Sequence, residues 1–438
     1  MNPSALRALR STALCAALLG ALIASAAVRA DDPAPAAPPV KPPVAPLPVA
    51  PEPPVVRPEE PVAPAVPRAV ASLDVIDRAK LEAHVRLLAS PEYGGRGSAD
   101  DRGKAFTYVA AQLTAAGVTP VPGASSMLRP FKAKVGVPAG TNVVGWIPGT
   151  DATDYVVVSA HFDHLGRKRI AAGETVTEVM FPGADDNASG AAALLEIARA
   201  LVLGPKTKRS FLVVAFDLEE VNCAGSRAYV EDPALPLERC AAFTTMDMLG
   251  RSLGDIYPGL LMVMGAERAD ALLATTSVMP VAPGVVVREL GMDFNQLGWS
   301  DYLPFEEKKV PSLFFTSGAC RDYHRPTDTA DQIDYPALRA RAATVLATVR
   351  LLSDDAARPA WKDVAVPRMT EIVSLHALVR DAGAKEEEMK VPAGMRAIRR
   401  NVENNLAKTL ARGTVTVGER TAARNLALML FQAASQAR

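Results

Sequence analysis

Cysteine is scarce in this sequence, with four residues in 438, too few for a disulfide scaffold to stand in for a hydrophobic core. Neither sign of charge is in excess. Lys plus Arg and Asp plus Glu both number 48. The chain as a whole therefore lacks the basic footprint of a nucleic-acid binder and the polybasic bias that draws proteins to anionic membranes. Histidine is rarer than any other titratable type except cysteine, with five residues. Beyond the first thirty positions no run is long and apolar enough to span a bilayer. What is abundant is apolar surface: 49% of residues are hydrophobic, which excludes a wholly disordered chain. The length admits one large domain or two to three ordinary ones.

The N-terminus reads as an export signal. Arg7 and Arg10 precede an apolar run over 11–28, no acid occurs before Asp31, and Val28-Arg29-Ala30 fits a signal-peptidase site. Residues 1–30 are thus a predicted signal peptide, and the predicted location is periplasmic or secreted. An uncleaved anchor is the alternative, giving a membrane or envelope tether, although 18 alanine-rich residues are marginal for spanning. Leu14 before Cys15 fits a lipoprotein signal poorly. Residues 31–67 hold 15 of the 36 prolines, mixed with alanine and valine. Proline fixes φ and removes a backbone donor, so this Pro/Ala-rich stretch is a disordered, semi-rigid linker and not a core.

From residue 68 the pattern changes. Apolar residues at helical spacing predict helices over 74–89, 103–116, 188–203 and 335–352. Short β-branched or apolar runs predict strands at 142–147, 155–160, 211–216, 244–247 and 312–316. The alternation predicts an α/β fold: a mixed, mostly parallel sheet flanked by helices over residues 68–356. Residues 357–438 contain no clear strand, only helical stretches at 367–380, 395–411 and 419–436. They read as a helical C-terminal extension, separable from the region before it.

Polar residues gather where the strands end. The strand at 155–160 runs into His161-Phe162-Asp163-His164, and the strand at 211–216 runs into Asp217-Leu218-Glu219-Glu220. A third strand ends near Asp247, and a fourth precedes Asp322-Tyr323-His324. Between the first two lies Gly183-Ala184-Asp185-Asp186-Asn187, opening a helix. Open α/β sheets bind ligands at the carboxyl ends of their strands. Each block alone has an ordinary reading, such as a helix cap for Asp185-Asp186-Asn187. Together they read as a site. Imidazole and carboxylate without thiolate suit catalytic zinc, and manganese or cobalt less well. A carboxylate can also bridge two ions.

The ordered blocks S-A-H-F-D-H-L-G, P-G-A-D-D-N-A-S-G, D-L-E-E, M-D-M-L-G-R, W-S-D-Y-L-P-F and D-Y-H-R-P-T-D-T resemble the M28 family of zinc metallopeptidases, in its bacterial leucyl-type aminopeptidase branch. The resemblance spans roughly residues 74–356 and implies a zinc exopeptidase-like fold, two Zn²⁺ ions and a peptide substrate. It implies Asp186 as the bridging ligand, with a cis bond to Asn187. It implies His161 and Asp247 on one ion and Glu220 and His324 on the other. Glu219 is the implied general base, and Asp163 the acceptor that orients His161. Carboxypeptidase-type and glutaminyl-cyclase-type relatives share this fold, and a binding module on an inactive peptidase fold is the alternative outside enzymes. Tyr302 stands where many relatives carry histidine, and His164 and Arg321 receive no role. Cys223 and Cys320, each near a ligand block, are candidates for one disulfide.

The neutral total is a cancellation. Residues 68–356 carry 29 basic and 35 acidic residues, and residues 357–438 carry 14 and 8. The extension is therefore the basic piece, and a cationic tail docking on an acidic catalytic face, or on an anionic envelope surface, is the expected contact. The sequence says nothing about the oligomeric state.

Overall fold

A computed structural model describes residues 73–438 apart from 133, 173–174, 296–299, 355–356, 364–367, 388–390, 392 and 437–438. The predicted signal peptide and linker lie outside the described residues.

Two helices lead in. α1 (Arg78–Leu88) starts where the Asp77 carboxylate accepts from the Ala79 and Lys80 N–H groups, and α2 (Ala99–Ala115) starts where Ser98 accepts from Asp101. These are short polar side chains at the position that leaves orphan N–H groups. The strands follow: β1 (Thr119–Pro120), β2 (Leu128–Phe131), β3 (Gly140–Ile147) and β4 (Asp151–His161). A separate antiparallel ribbon, β5 (Gly166–Ala172) with β6 (Thr175–Phe181), comes next. Then come α3 (Gly190–Leu203), β7 (Arg209–Phe216), α4 (Ala224–Glu231), β8 (Cys240–Met246), β9 (Leu260–Met264), α5 (Asp270–Ser277) and β10 (Val286–Leu290). α6 (Tyr302–Glu307), β11 (Ser312–Thr316) and α7 (Tyr335–Asp354) close the sheet region, and α8 (Met369–Gly383), α9 (Ala393–Arg412) and α10 (Val417–Gln436) end the chain.

Nine strands form one mixed sheet in the order β1-β3-β7-β4-β8-β11-β9-β10, with β2 beside β3. The four central strands β7, β4, β8 and β11 are parallel, and the antiparallel pairs lie outside them. Both faces are covered. Along β4, Val156, Val158 and Ala160 join one apolar core while Tyr155 and Val157 join the other. Along β7, Phe211, Val213 and Ala215 face one way and Leu212, Val214 and Phe216 the other. The strands thus read as continuous apolar runs because each face is buried. Each fully buried Val, Leu or Phe contributes roughly 1.5–3 kcal/mol relative to exposure.

The C-terminal helices belong to the second core. Ile372, Leu375, Leu378 and Val379 of α8, Val402 and Leu406 of α9 and Ala427 of α10 share one buried cluster with Met262, Met264 and Leu290 of the sheet. The extension therefore completes a core and is not separable in packing, contrary to the sequence expectation. The sequence pattern failed here because helix periodicity shows that a face is apolar, not what covers it. No helix among the described residues is long and apolar enough to cross a membrane.

Candidate metal centre

The central parallel strands deliver their C-terminal ends to one place. His161 is the last residue of β4, Glu219 and Glu220 follow β7, Asp247 follows β8, and His324 lies in the loop after β11. Asp186 enters from the turn between β6 and α3, where its peptide bond to Asn187 is cis.

Three of these residues form one group: His161 Nε2 stands 3.5 Å from Asp186 Oδ1 and 3.3 Å from Asp247 Oδ1. A second group lies on the other side of Asp186. His324 Nε2 stands 3.0 Å from Asp186 Oδ2 and 3.2 Å from Glu220 Oε2. His164 belongs to this group too, with Nδ1 2.7 Å from Glu220 Oε1. Asp186 thus offers one oxygen to each group. Glu219 sits beside the first, with Oε2 3.9 Å from His161 Nε2, and the Cys223 thiol faces its other oxygen at 3.7 Å. Asp163 lies 3.5 Å from His161 Nδ1.

The surroundings fix these side chains through backbone groups. Asp163 accepts from the Glu219 and Glu220 N–H groups at 3.0 and 3.2 Å, which locks the end of β7 to the end of β4. Asp328 accepts from the Asp185 and Asp186 N–H groups. Asn187 Oδ1 accepts from Gly190 and Met248, and Ser300 donates to Asp247 Oδ2 at 3.0 Å. Arg96 is fully buried and donates to the carbonyls of Leu88, Phe162, Pro182 and Gly183, tying the His161 loop to the Asp186 turn. Leu218, Asn222, Cys223, Met248 and His324 all hold positive φ, between 55° and 61°. Left-handed backbone at bulky residues costs energy and gathers where a site is over-determined.

Charge is concentrated and unmatched here. Both ring nitrogens of His161 and of His164, together with Glu220 Oε1 and Asp247 Oδ1, are buried with no hydrogen-bond partner. Such groups cost free energy unless something supplies the missing partner. Convergent imidazole and carboxylate atoms of this kind fit divalent zinc, which takes N and O donors. Burial, with Asp247 and Asp301 nearby, pushes Glu219 well above its usual value. Burial and the facing Glu220 raise Asp186. Burial would lower both His161 and His324. Asp247 and Glu219 nevertheless drive His161 well up, and Asp186 and Glu220 push His324 up to about 10.

The three cysteines of the described residues are buried free thiols, so the candidate Cys223–Cys320 disulfide is not formed. Sequence reasoning gave no role to Arg96, Asp328 or His164. Two of these left a signal: His164 is a second histidine in the H-x-D-H block, and Asp328 is the last acid of D-Y-H-R-P-T-D-T.

The family model described as Peptidase family M28 matches residues 142–349. Aminopeptidase YwaD of Bacillus subtilis is 28% identical over 211 residues, covering 45% of this chain and 40% of YwaD. The probable lipoprotein aminopeptidase LpqL of Mycobacterium tuberculosis is 25% identical over 264 residues, covering 53% of this chain and 49% of LpqL. This chain therefore spans about half the length of those curated relatives or less. Among solved structures, Legionella pneumophila LapA superposes with a TM-score of 0.52 at 20% identity, covering 65% of this chain and 76% of LapA, a likeness of fold.

Proposed function

We propose that this chain, whose residues 142–349 match the model of peptidase family M28, is a two-metal aminopeptidase that removes N-terminal residues from peptides. The observation that carries the reading is Asp186, whose two oxygens face two separate groups of imidazole and carboxylate donors.

In this reading His161, Asp186 and Asp247 hold one divalent ion, and Glu220 and His324 share Asp186 on the other. When bound, the pair would acidify a water and polarise the scissile carbonyl. Glu219 would take a proton from the attacking water and deliver it to the leaving amine. Burial pushes its carboxyl above the ordinary carboxylate range, the direction in which a carboxylate gains strength as a base. Asp163 keeps Glu219 aimed by fixing its backbone N–H, and it faces His161 from the side opposite the carboxylate group. Ser300 holds the free oxygen of Asp247. Residues 68–356 form the catalytic region in this proposal, and residues 1–30 export it to the periplasm or the medium.

The test is a panel of aminoacyl fluorogenic substrates with purified protein, before and after exhaustive chelation. Hydrolysis that is lost on chelation and restored by zinc is expected. Full activity after chelation would overturn the reading. Release from the carboxyl end, or cyclisation of N-terminal glutamine without hydrolysis, would move the chain to another branch of the fold.

A further inference from the structure

His164 stands three residues beyond the end of β4, and its side chain is fully buried. Its Nδ1 lies 2.7 Å from Glu220 Oε1 and 3.8 Å from Asp186 Oδ2. Neither ring nitrogen has a hydrogen-bond partner, and neither does Glu220 Oε1. The 2.7 Å contact is therefore close enough for a hydrogen bond but misaligned for one, and alignment is what gives such a bond its strength. Two atoms that converge on a third centre sit side by side in this manner. His161 shows the same signature, with carboxylate oxygens at 3.3 and 3.5 Å from Nε2 and no hydrogen bond on either ring nitrogen.

The ring is held in place from several sides. The His164 N–H donates to the Arg96 carbonyl at 3.3 Å. A Cβ at Gly183 would stand 2.4 Å from the ring, and Gly183 also holds φ +59°, so only glycine fits there. The His324 ring meets it edge-on at 5.6 Å. Donor atoms of His164, Asp186, Glu220 and His324 all lie within 4.8 Å of one another.

We propose that His164 is a fourth protein ligand of the ion shared by Asp186, Glu220 and His324. The proposal rests on the two-metal reading above and adds an asymmetry to it. Four protein donors saturate a tetrahedral zinc, whereas three leave a position open. The His164 side is then the closed, tightly held ion, and the His161–Asp186–Asp247 side is the one with room for water or substrate.

The experiment uses the full chain loaded with zinc, as wild type, His164→Ala and His164→Asn. Zinc-edge X-ray absorption counts imidazole ligands, and titration against a chromogenic chelator gives the two affinities. Wild type should show three imidazoles over two zinc ions, and both variants should show two. The tighter affinity should fall by more than the roughly 10–100-fold that accompanies loss of an outer partner, with the weaker affinity unchanged. Circular dichroism checks folding. Should the alanine variant not fold, the asparagine variant and the wild-type imidazole count carry the test. Two zinc ions with only two imidazoles in the wild type, or wild-type affinities in a folded variant, would overturn the His164 assignment alone. A wild-type chain that takes up no zinc would overturn this assignment together with the two-metal reading.

Discussion

Two places in the molecule bury several charges side by side, and they are resolved differently. Where the C-terminal helices meet the sheet region, Arg420, Arg424, Glu371 and Asp293 pair with one another. Arg420 donates to both Glu371 and Asp293, and Arg424 reaches Asp293 as well. Burial would raise Asp293, and the two guanidiniums outweigh it and hold that carboxyl below its usual value. At the strand ends the acids and histidines face one another, and the ring nitrogens of His161 and His164, with Glu220 Oε1 and Asp247 Oδ1, go without hydrogen bonds. The first cluster is complete as protein. The second is complete only with something added. A buried ionic cluster marks a site when its charges lack partners, and a seam when they have them.

The largest effect that tests this contrast is at Glu219. Glu219→Gln should lower kcat by about 10²–10⁴-fold, the range for loss of a general base, while metal analysis still finds two ions. Near-normal turnover would remove Glu219 from the chemistry. Next comes the seam. Arg420→Met leaves Glu371, which is 2% exposed, without its cation, and urea unfolding should show a loss of about 3–5 kcal/mol. Adding Glu371→Gln and Asp293→Asn should recover most of it. The folded variant should keep wild-type kcat/KM, and a selective loss of activity would show that the seam is not only structural.

The third effect depends on pH. A carboxyl whose folded pKa is raised, as at Asp186 and Glu219, begins to cost stability above its unfolded pKa of about 4. A raised histidine such as His324, at about 10, gives stability below about pH 6.5 that disappears as pH rises through the folded value. Both signs make the metal-free protein less stable from about pH 4 upward, and an incoming cation must displace those protons. The rise in Tm on adding zinc should therefore grow between pH 5 and pH 8. A constant increment would show that the site does not hold protons in place of metal. The smallest effect is at the surface. Arg86 pairs with Glu82 and Asp331 in the open, and Arg86→Ala should cost less than about 1 kcal/mol.

Much of the fold was legible because the buried strands are long, continuous apolar runs and the helices carry one apolar face. The ribbon β5–β6 was not, since Arg167, Lys168 and Arg169 give it no apolar alternation. β9, between β11 and β10, and the edge strand β10 were also missed. At the site, the residues that converge were visible as polar blocks on successive strand ends. Of the residues that hold them, only Asp163 was named, and for a role at His161. Asp163 acts on the N–H groups of Glu219 and Glu220, Asp328 on those of Asp185 and Asp186, and Arg96 on four carbonyls. Such partners are backbone groups of distant segments, and backbone groups leave no letter in a sequence.

Arg96 sits in a loop of three glycines, and the chain around it touches the β5–β6 ribbon backbone to backbone. A Cβ on Gly97 would stand 2.5 Å from Gly166 Cα, and one on Gly95 would stand 2.4 Å from the Phe181 carbonyl. The stretch matched by the peptidase family model begins at residue 142, well after this seam. Family match and architecture therefore draw different borders. The matched stretch carries the donors, while the segment that clasps them lies upstream of it. A fragment cut at residue 142 would accordingly keep every donor and lose the clasp, so a self-sufficient site has to start before Arg96.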